Sequence, residues 1–424
     1  MVTEFLRNLA FDDAINIASK LSQLLKGPLL MGVVLLYLSI TEQANWYVML
    51  SLASLGVMAD FGVSALLMQS LAKTDSNKHP DLICYSIKAI RNSLIVVNSF
   101  LLVAGAFVFK SDFYTAYPTW IALCLSNILI VLITVFCSIM QGKHKTNLAF
   151  GLRFLCVNLV TLFNCIFLYL DFGLNSLWIS NILTFFTILS IAIGLKVKPL
   201  DLHYRKLTVD REVVNEIAEQ KNRYIISWIA GFVLFSSILP ILKLTSAVEL
   251  VATTGICFAA TRAIGAVSIS WLETASGKLG VHIANDDFEH VFNSLNVVSK
   301  KVIFTFIGLF SLALIVVYLA NKHPFFDGRI PSLEVFVYLG LAEFFYLVMN
   351  IFSRCARVFC VELFAIHNVV FCILIGVGAL LALTYLTYGK WLIIFLFSYM
   401  IIGCPLYTIT FLRWKSHLRV LHNA

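Results

Sequence analysis

Residues 120–140 read WIALCLSNILIVLITVFCSIM, from Trp120 to Met140, without a charged side chain. As a helix rising about 1.5 Å per residue, the run spans roughly 30 Å, the thickness of a bilayer's hydrocarbon core. It does not alternate apolar and polar positions, so it is not a half-buried strand or a barrel strand. Its surroundings show that such runs are the rule here. Of the 424 residues, 60% are apolar and 13% charged, and the mean hydropathy is +0.90. A soluble domain carries about 25% charged residues. The chain therefore has too little charge to cover a soluble surface, and a cytosolic enzyme, a secreted disulfide scaffold and a disordered regulator are all excluded.

Twelve apolar runs follow one another, near 20–40, 46–71, 88–109, 118–140, 148–170, 175–195, 224–243, 248–272, 302–320, 332–352, 363–386 and 390–412. Their lengths predict an all-α polytopic membrane protein of about 12 transmembrane helices. With a cytoplasmic N-terminus, 24 of the 31 Lys and Arg fall on cytoplasmic segments or helix ends. Lys110, Lys243, Lys322, Arg329 and Lys390 fall outside, and Lys26 and Arg262 lie within runs. This bias places both termini inside and accounts for the net charge of +8 without a nucleic-acid partner. No small-residue cleavage pattern follows the first run, so no cleavable signal is expected. The ten cysteines are scattered without a CxxC pair, and read as reduced packing residues.

The longest hydrophilic stretch divides the chain into a lobe of residues 1–195, a cytoplasmic linker 196–223 and a lobe of 224–424. Each lobe holds six runs, so a duplication would be a parallel repeat about an axis along the membrane normal. Asp60-Phe61-Gly62 and Arg262-Ala263-Ile264-Gly265 are the best-matched segments between the halves. Two amphipathic segments, 286–299 with Phe288, Val291, Phe292, Leu295 and Val298 and an Asp286/Glu289 capping pair, and the shorter 209–220, read as helices lying on the headgroups or as partner sites.

No Walker A loop occurs, since Gly142-Lys143-His144 lacks both the upstream glycine and the following Ser or Thr. There is no HExxH and no Cys/His cluster, so no metal or cofactor is expected. The outside loops are short and leave no room for an extracytoplasmic catalytic domain, which favours a transporter over an enzyme.

Function is then sought among ionisable groups at membrane depth, which cost energy unless a cavity or partner receives them. Lys26, beside Gly27-Pro28, either lines a cavity at a bendable helix or snorkels to the cytoplasmic headgroups. Asp60 lies near mid-membrane, as a proton-coupling group, an inter-lobe partner or a structural carboxyl. Arg262 sits at the corresponding depth of the second half. It stays charged and forks onto phosphate oxygens, or it pairs structurally with Asp60 or Glu273. Glu343, mid-run, titrates during transport or is packed neutral; His367 and Glu362 are weaker candidates. Lys26 and Arg262 together suit an anionic, diphosphate-bearing substrate better than a cationic drug.

The segment Glu42-Gln43-Ala44-Asn45-Trp46-Tyr47, with Ser51 to Leu55, Asp60-Phe61-Gly62 and Gln69, resembles Wzx-type O-antigen flippases. These belong to the multidrug/oligosaccharidyl-lipid/polysaccharide (MOP) exporter superfamily. Ala44 stands where that family has glycine. The resemblance implies two six-helix lobes of MATE-like architecture that rock between inward-open and outward-open states. It implies a flippase for an undecaprenyl-diphosphate-linked O-antigen or other surface-polysaccharide repeat unit in the bacterial inner membrane, driven by an ion gradient. Membrane lipids, a polysaccharide polymerase and a chain-length regulator are the implied partners. Asp60 matches the family's acidic position. A multidrug exporter of the same fold and a membrane polysaccharide polymerase are the competing readings.

Overall fold

The computed structural model describes residues 26–57, 59–73, 79–143, 145–195, 226, 230, 236–284, 287–326, 329–359, 363–371, 373–374 and 394–423. These residues form helices and turns and no strand. The chain divides into two compact units, Met1–Phe232 and Val233–Ala424. The expected linker 196–223 and the stripe 209–220 lie outside the described residues, as do Asp286 and Glu362.

In the first unit the helices are α1 (Lys26–Tyr37), α2 (Ile40–Val57), α3 (Val63–Lys73), α4 (His79–Val108), α5 (Ala116–Gly142), α6 (Thr146–Tyr169) and α7 (Ser176–Gly194). In the second they are α8 (Ile238–Thr245), α9 (Val248–Ala284), α10 (Phe288–Ala320), α11 (Leu333–Val358) and α12 (Cys404–Asn423), the last preceded by a π-helical turn, Ser398–Gly403. Eight helices among the described residues are long and apolar enough to cross a membrane. The fold is an all-α polytopic one of the expected class. Parts of the runs 20–40, 224–243 and 363–386 fall outside the described residues.

The helix carrying the stretch Trp120–Met140 is the centre of its unit. Of the most apolar window of α5, 61% is buried, against 11% for α10, which lies on the outside of its own unit. What holds α5 is partly polar. Asn181 on α7 donates to Ser126 Oγ at 3.1 Å and Asn127 Oδ1 at 3.0 Å, and the Trp120 indole donates to the Leu101 carbonyl of α4 at 3.0 Å. Such bonds matter between membrane helices, where hydrophobicity gives no reason to prefer a neighbouring helix over lipid. Small residues allow the approach: a Cβ on Gly105 of α4 would fall 2.0 Å from Trp120 Nε1. The described cysteines are free thiols.

Two expectations are corrected. The run 46–71 is not one helix but two, α2 and α3, separated by the turn at Asp60-Phe61-Gly62. Phe61 and Gly62 have φ of 47° and 77°, and two successive left-handed residues end a right-handed helix. The segment 286–299 is not a separate helix lying on the headgroups. From Phe288 it is the first part of α10, continuous with the span behind it. Its apolar stripe packs on protein: Val291, Phe292 and Leu295 are buried, with Phe292 stacked on Phe359 at 5.3 Å and edge-on to Trp414 at 6.5 Å. At 33 and 37 residues, α10 and α9 are about 50 and 55 Å long, well beyond a core of roughly 30 Å.

Candidate functional site

The four sequence-predicted residues fall two to a unit: Lys26 and Asp60 in the first, Arg262 and Glu343 in the second. Their surroundings are built differently.

In the first unit the turn between α2 and α3 positions Asp60. Its carboxylate accepts from the Gly62 amide at 3.3 Å and from the Ser64 amide. Its carbonyl accepts from Val63 N–H at 2.9 Å. Asp60 therefore closes the exposed amides at the start of α3, where the helix dipole favours a negative group. The cation acting on Asp60 is Arg153 of α6, a residue that the charge bias counts with the cytoplasmic helix ends. Arg153 lies two turns into α6. It donates through Nη2 to Ser138 Oγ of α5 at 2.9 Å and also bonds the Cys137 sulfur. Its Nε is buried with no hydrogen-bond acceptor among the described residues. One turn on, Cys156 meets the electrostatic field of Lys26 from α1 and of Cys137. Lys26 and Arg153 thus stand around the same stretch of α5 and α6, with Asp60 beside them. The signal that would have found Arg153 is its place five residues inside the run 148–170.

In the second unit the structure joins two residues that the sequence treats separately. Glu343 of α11 is 7% exposed, and its charge partner is Arg262 of α9. Gly265, one turn after Arg262, lets the Glu343 carboxyl reach α9. A Cβ there would lie 3.0 Å from Glu343 Oε1, so the carboxyl rests against bare α9 backbone. Arg262 is half-buried, and its guanidinium sits 5.2 Å from the centre of the Phe258 ring. Along α11, Glu343, Tyr346, Asn350 and Arg354 recur at helical spacing and form one polar stripe. The Tyr346 hydroxyl bonds Asn350 and feels Glu343, Arg262 and Arg354. Tyr399, fully buried in the π-helical turn, meets Tyr346 edge-on at 6.3 Å. The expected rival partners of Arg262 are Asp60 and Glu273. Asp60 belongs to the other unit, and the Glu273 side chain lies outside the described residues. His367 is taken up elsewhere, its Nε2 bonded to Thr410 Oγ1 at 3.0 Å.

The first part of the segment that carries the family resemblance, Glu42 to Tyr47, is scaffold. Ser39 and Glu42 form a reciprocal cap at the start of α2, with Ser39 N–H to Glu42 Oε2 at 3.0 Å and Glu42 N–H to Ser39 Oγ at 3.3 Å. Asn45 donates to Asp112 at 3.4 Å, and Gln43, Trp46 and Tyr47 are buried.

Solved structures share this architecture along nearly its whole length. An inward-facing multidrug resistance MATE family transporter of the MOP superfamily superposes with a TM-score of 0.65 at 17% identity, over 97% of this chain and 99% of that one. The chain has the MATE-type fold. The lipid II flippase MurJ, in an inward closed conformation, gives 0.63 at 13% identity over 96% and 90% of the two chains. A third, the MATE multidrug transporter DinF-BH in complex with a ligand, gives 0.64 at 11% over 95% and 94%. No protein-family model and no curated protein matches the chain.

Proposed function

We propose that the chain is a flippase for a lipid-linked oligosaccharide with a diphosphate headgroup, of the class formed by undecaprenyl-diphosphate-linked O-antigen or other surface-polysaccharide repeat units. The observation that carries this reading is the choice of charge at membrane depth. Within a fold shared by drug exporters and a lipid II flippase, this chain commits Lys26, Arg153 and Arg262 to its helices. Arginines at such depth are tolerated where they receive an anion, and the guanidinium fork matches phosphate oxygens. The succession of apolar runs and the short outside segments favour translocation over sugar chemistry. Alternating access of two six-helix lobes, both termini cytoplasmic, in a bacterial inner membrane completes the reading. A polysaccharide polymerase and a chain-length regulator are the partners it implies.

The second reading, a multidrug exporter, is favoured by the ligand-bound multidrug transporter of the same fold. It expects acidic and aromatic residues rather than cations to meet the substrate. Deletion of the gene separates the two. A flippase deletion loses full-length surface polysaccharide and accumulates lipid-linked repeat units on the cytoplasmic face, and Arg262→Ala reproduces this at normal protein levels. Retained display in a strain without a second flippase, together with increased drug sensitivity, would establish the exporter instead. Single repeat units stranded on the outer face would point to a polymerase.

A further inference from the structure

We infer that headgroup binding in the second unit is linked to the uptake of one proton by Glu343, because Arg262 cannot serve both the Glu343 carboxylate and an anionic headgroup. The inference rests on Arg262 as a headgroup cation, and it adds the linkage to that reading.

The geometry imposes the exchange. Glu343 is buried, with its carboxyl against the backbone of α9 at Gly265, so that side has no room for hydrating water. The cation acting on it is Arg262, one turn before Gly265 on α9. The other ionisable groups facing it cannot replace Arg262. From the π-helical turn comes Tyr399, and from α11 itself Tyr346, both hydroxyls. Arg354 is three turns along α11, about 16 Å by helix rise. From α10 the neighbours are rings, Phe306 against Phe344 at 5.6 Å and Phe310 against Phe336 at 5.6 Å. Arg262, by contrast, is half-buried and can be approached.

When an anionic headgroup draws the guanidinium to itself, Glu343 is left as a buried carboxylate without its counter-charge. Such a group neutralises rather than stays charged. One proton passes from solvent to a carboxylate oxygen, giving the neutral acid; the guanidinium keeps all its protons and exchanges one anion for another. Glu343 is in effect an internal substitute for the headgroup. By linkage, the proton favours the headgroup as much as the headgroup favours the proton.

The sense of this coupling is fixed. Proton and headgroup bind together and leave together, so an inward proton gradient opposes outward flipping through this site. The headgroup's remaining negative charge, moving outward in an inside-negative potential, is then the favourable term.

The test is calorimetric titration of the purified full-length protein with farnesyl diphosphate at pH 8, in two buffers of different ionisation enthalpy. Wild type takes up one more proton per bound ligand than E343Q. The ligand's own terminal phosphate contributes equally to both, so the difference isolates Glu343. Between pH 7.5 and 8.5, wild-type affinity falls up to tenfold more than that of E343Q. A prenyl diphosphate diester, with no proton to gain near neutrality, answers the same question with wild type alone. Binding without proton uptake overturns the linkage and leaves Arg262 as headgroup cation. No binding by wild type, or equal binding by R262A, overturns the headgroup reading and the linkage with it.

Discussion

The Arg262–Glu343 pair makes a quantitative prediction that needs no substrate. Replacing Arg262 by Met leaves Glu343, at 7% exposure, as a buried carboxylate without its cation. Removing one partner of a fully buried pair costs about 3–5 kcal/mol, and less here because Arg262 is half-buried. Protonation of Glu343 gives much of this back, so a smaller cost, about 2 kcal/mol, is expected. Replacing Glu343 by Leu costs less. The orphaned Arg262 is half-buried and partly hydrated, and its loss is screened to about 1 kcal/mol. Replacing both restores an apolar contact between α9 and α11 and should come within about 1 kcal/mol of wild type. The coupling energy of the cycle is then roughly 2 kcal/mol in favour of the intact pair or the intact apolar substitute. Steric-trapping or denaturant unfolding in bicelles measures all four proteins. The same four proteins assayed for polysaccharide display separate structure from function: Arg262→Met/Glu343→Leu is stable and inactive. Additive costs for the two single substitutions, or an Arg262→Met protein as stable as wild type, would refute the pairing.

Three further outcomes follow from particular contacts. Asp60→Ala removes the acceptor for the Gly62 and Ser64 amides and lowers stability by about 1 kcal/mol, whereas Asp60→Asn keeps an acceptor and costs a few tenths, read from thermal midpoints. If Asp60 also carries a coupled proton, Asp60→Asn stops transport despite that stability, and retained transport assigns it to capping alone. Gly62→Ala imposes a side chain at φ 77° and costs about 1 kcal/mol, measured in the same way. Gly105→Ala drives a methyl into the Trp120 indole and costs about 1–3 kcal/mol; Trp120→Phe, which removes the bond to Leu101, costs about 1 kcal/mol, and unfolding midpoints rank them.

The legible and illegible parts of this protein differ for physical reasons. Span positions can be read because a bilayer imposes a fixed apolar length on every crossing segment, whatever it packs against. The stripe at 286–299 misleads because amphipathicity states that one face is covered but not by what. Here Phe359 and Trp414 cover it, not lipid. The break at Asp60–Gly62 is hidden inside an apolar run, since hydropathy does not register backbone angles. Orientation explains Arg153 too readily: near a helix end, a basic residue counts towards the positive-inside bias. Its bond to Ser138 and its proximity to Asp60 show it turned into the unit instead.

By itself the sequence determined that the chain resides in a membrane as a bundle of helices, where its apolar segments lie and which few ionisable residues needed an explanation. Those follow from composition and from the one-dimensional order of apolar runs, because solvent and bilayer act on each segment separately. Only the tertiary structure decided how those residues are used. Arg262 acts on Glu343 because α9 and α11 pack at Gly265, and Arg153 acts on Asp60 because α2 breaks where it does. Charge pairing acts over a few ångströms, and which helices come that close is settled by packing across the fold, not by position along the chain.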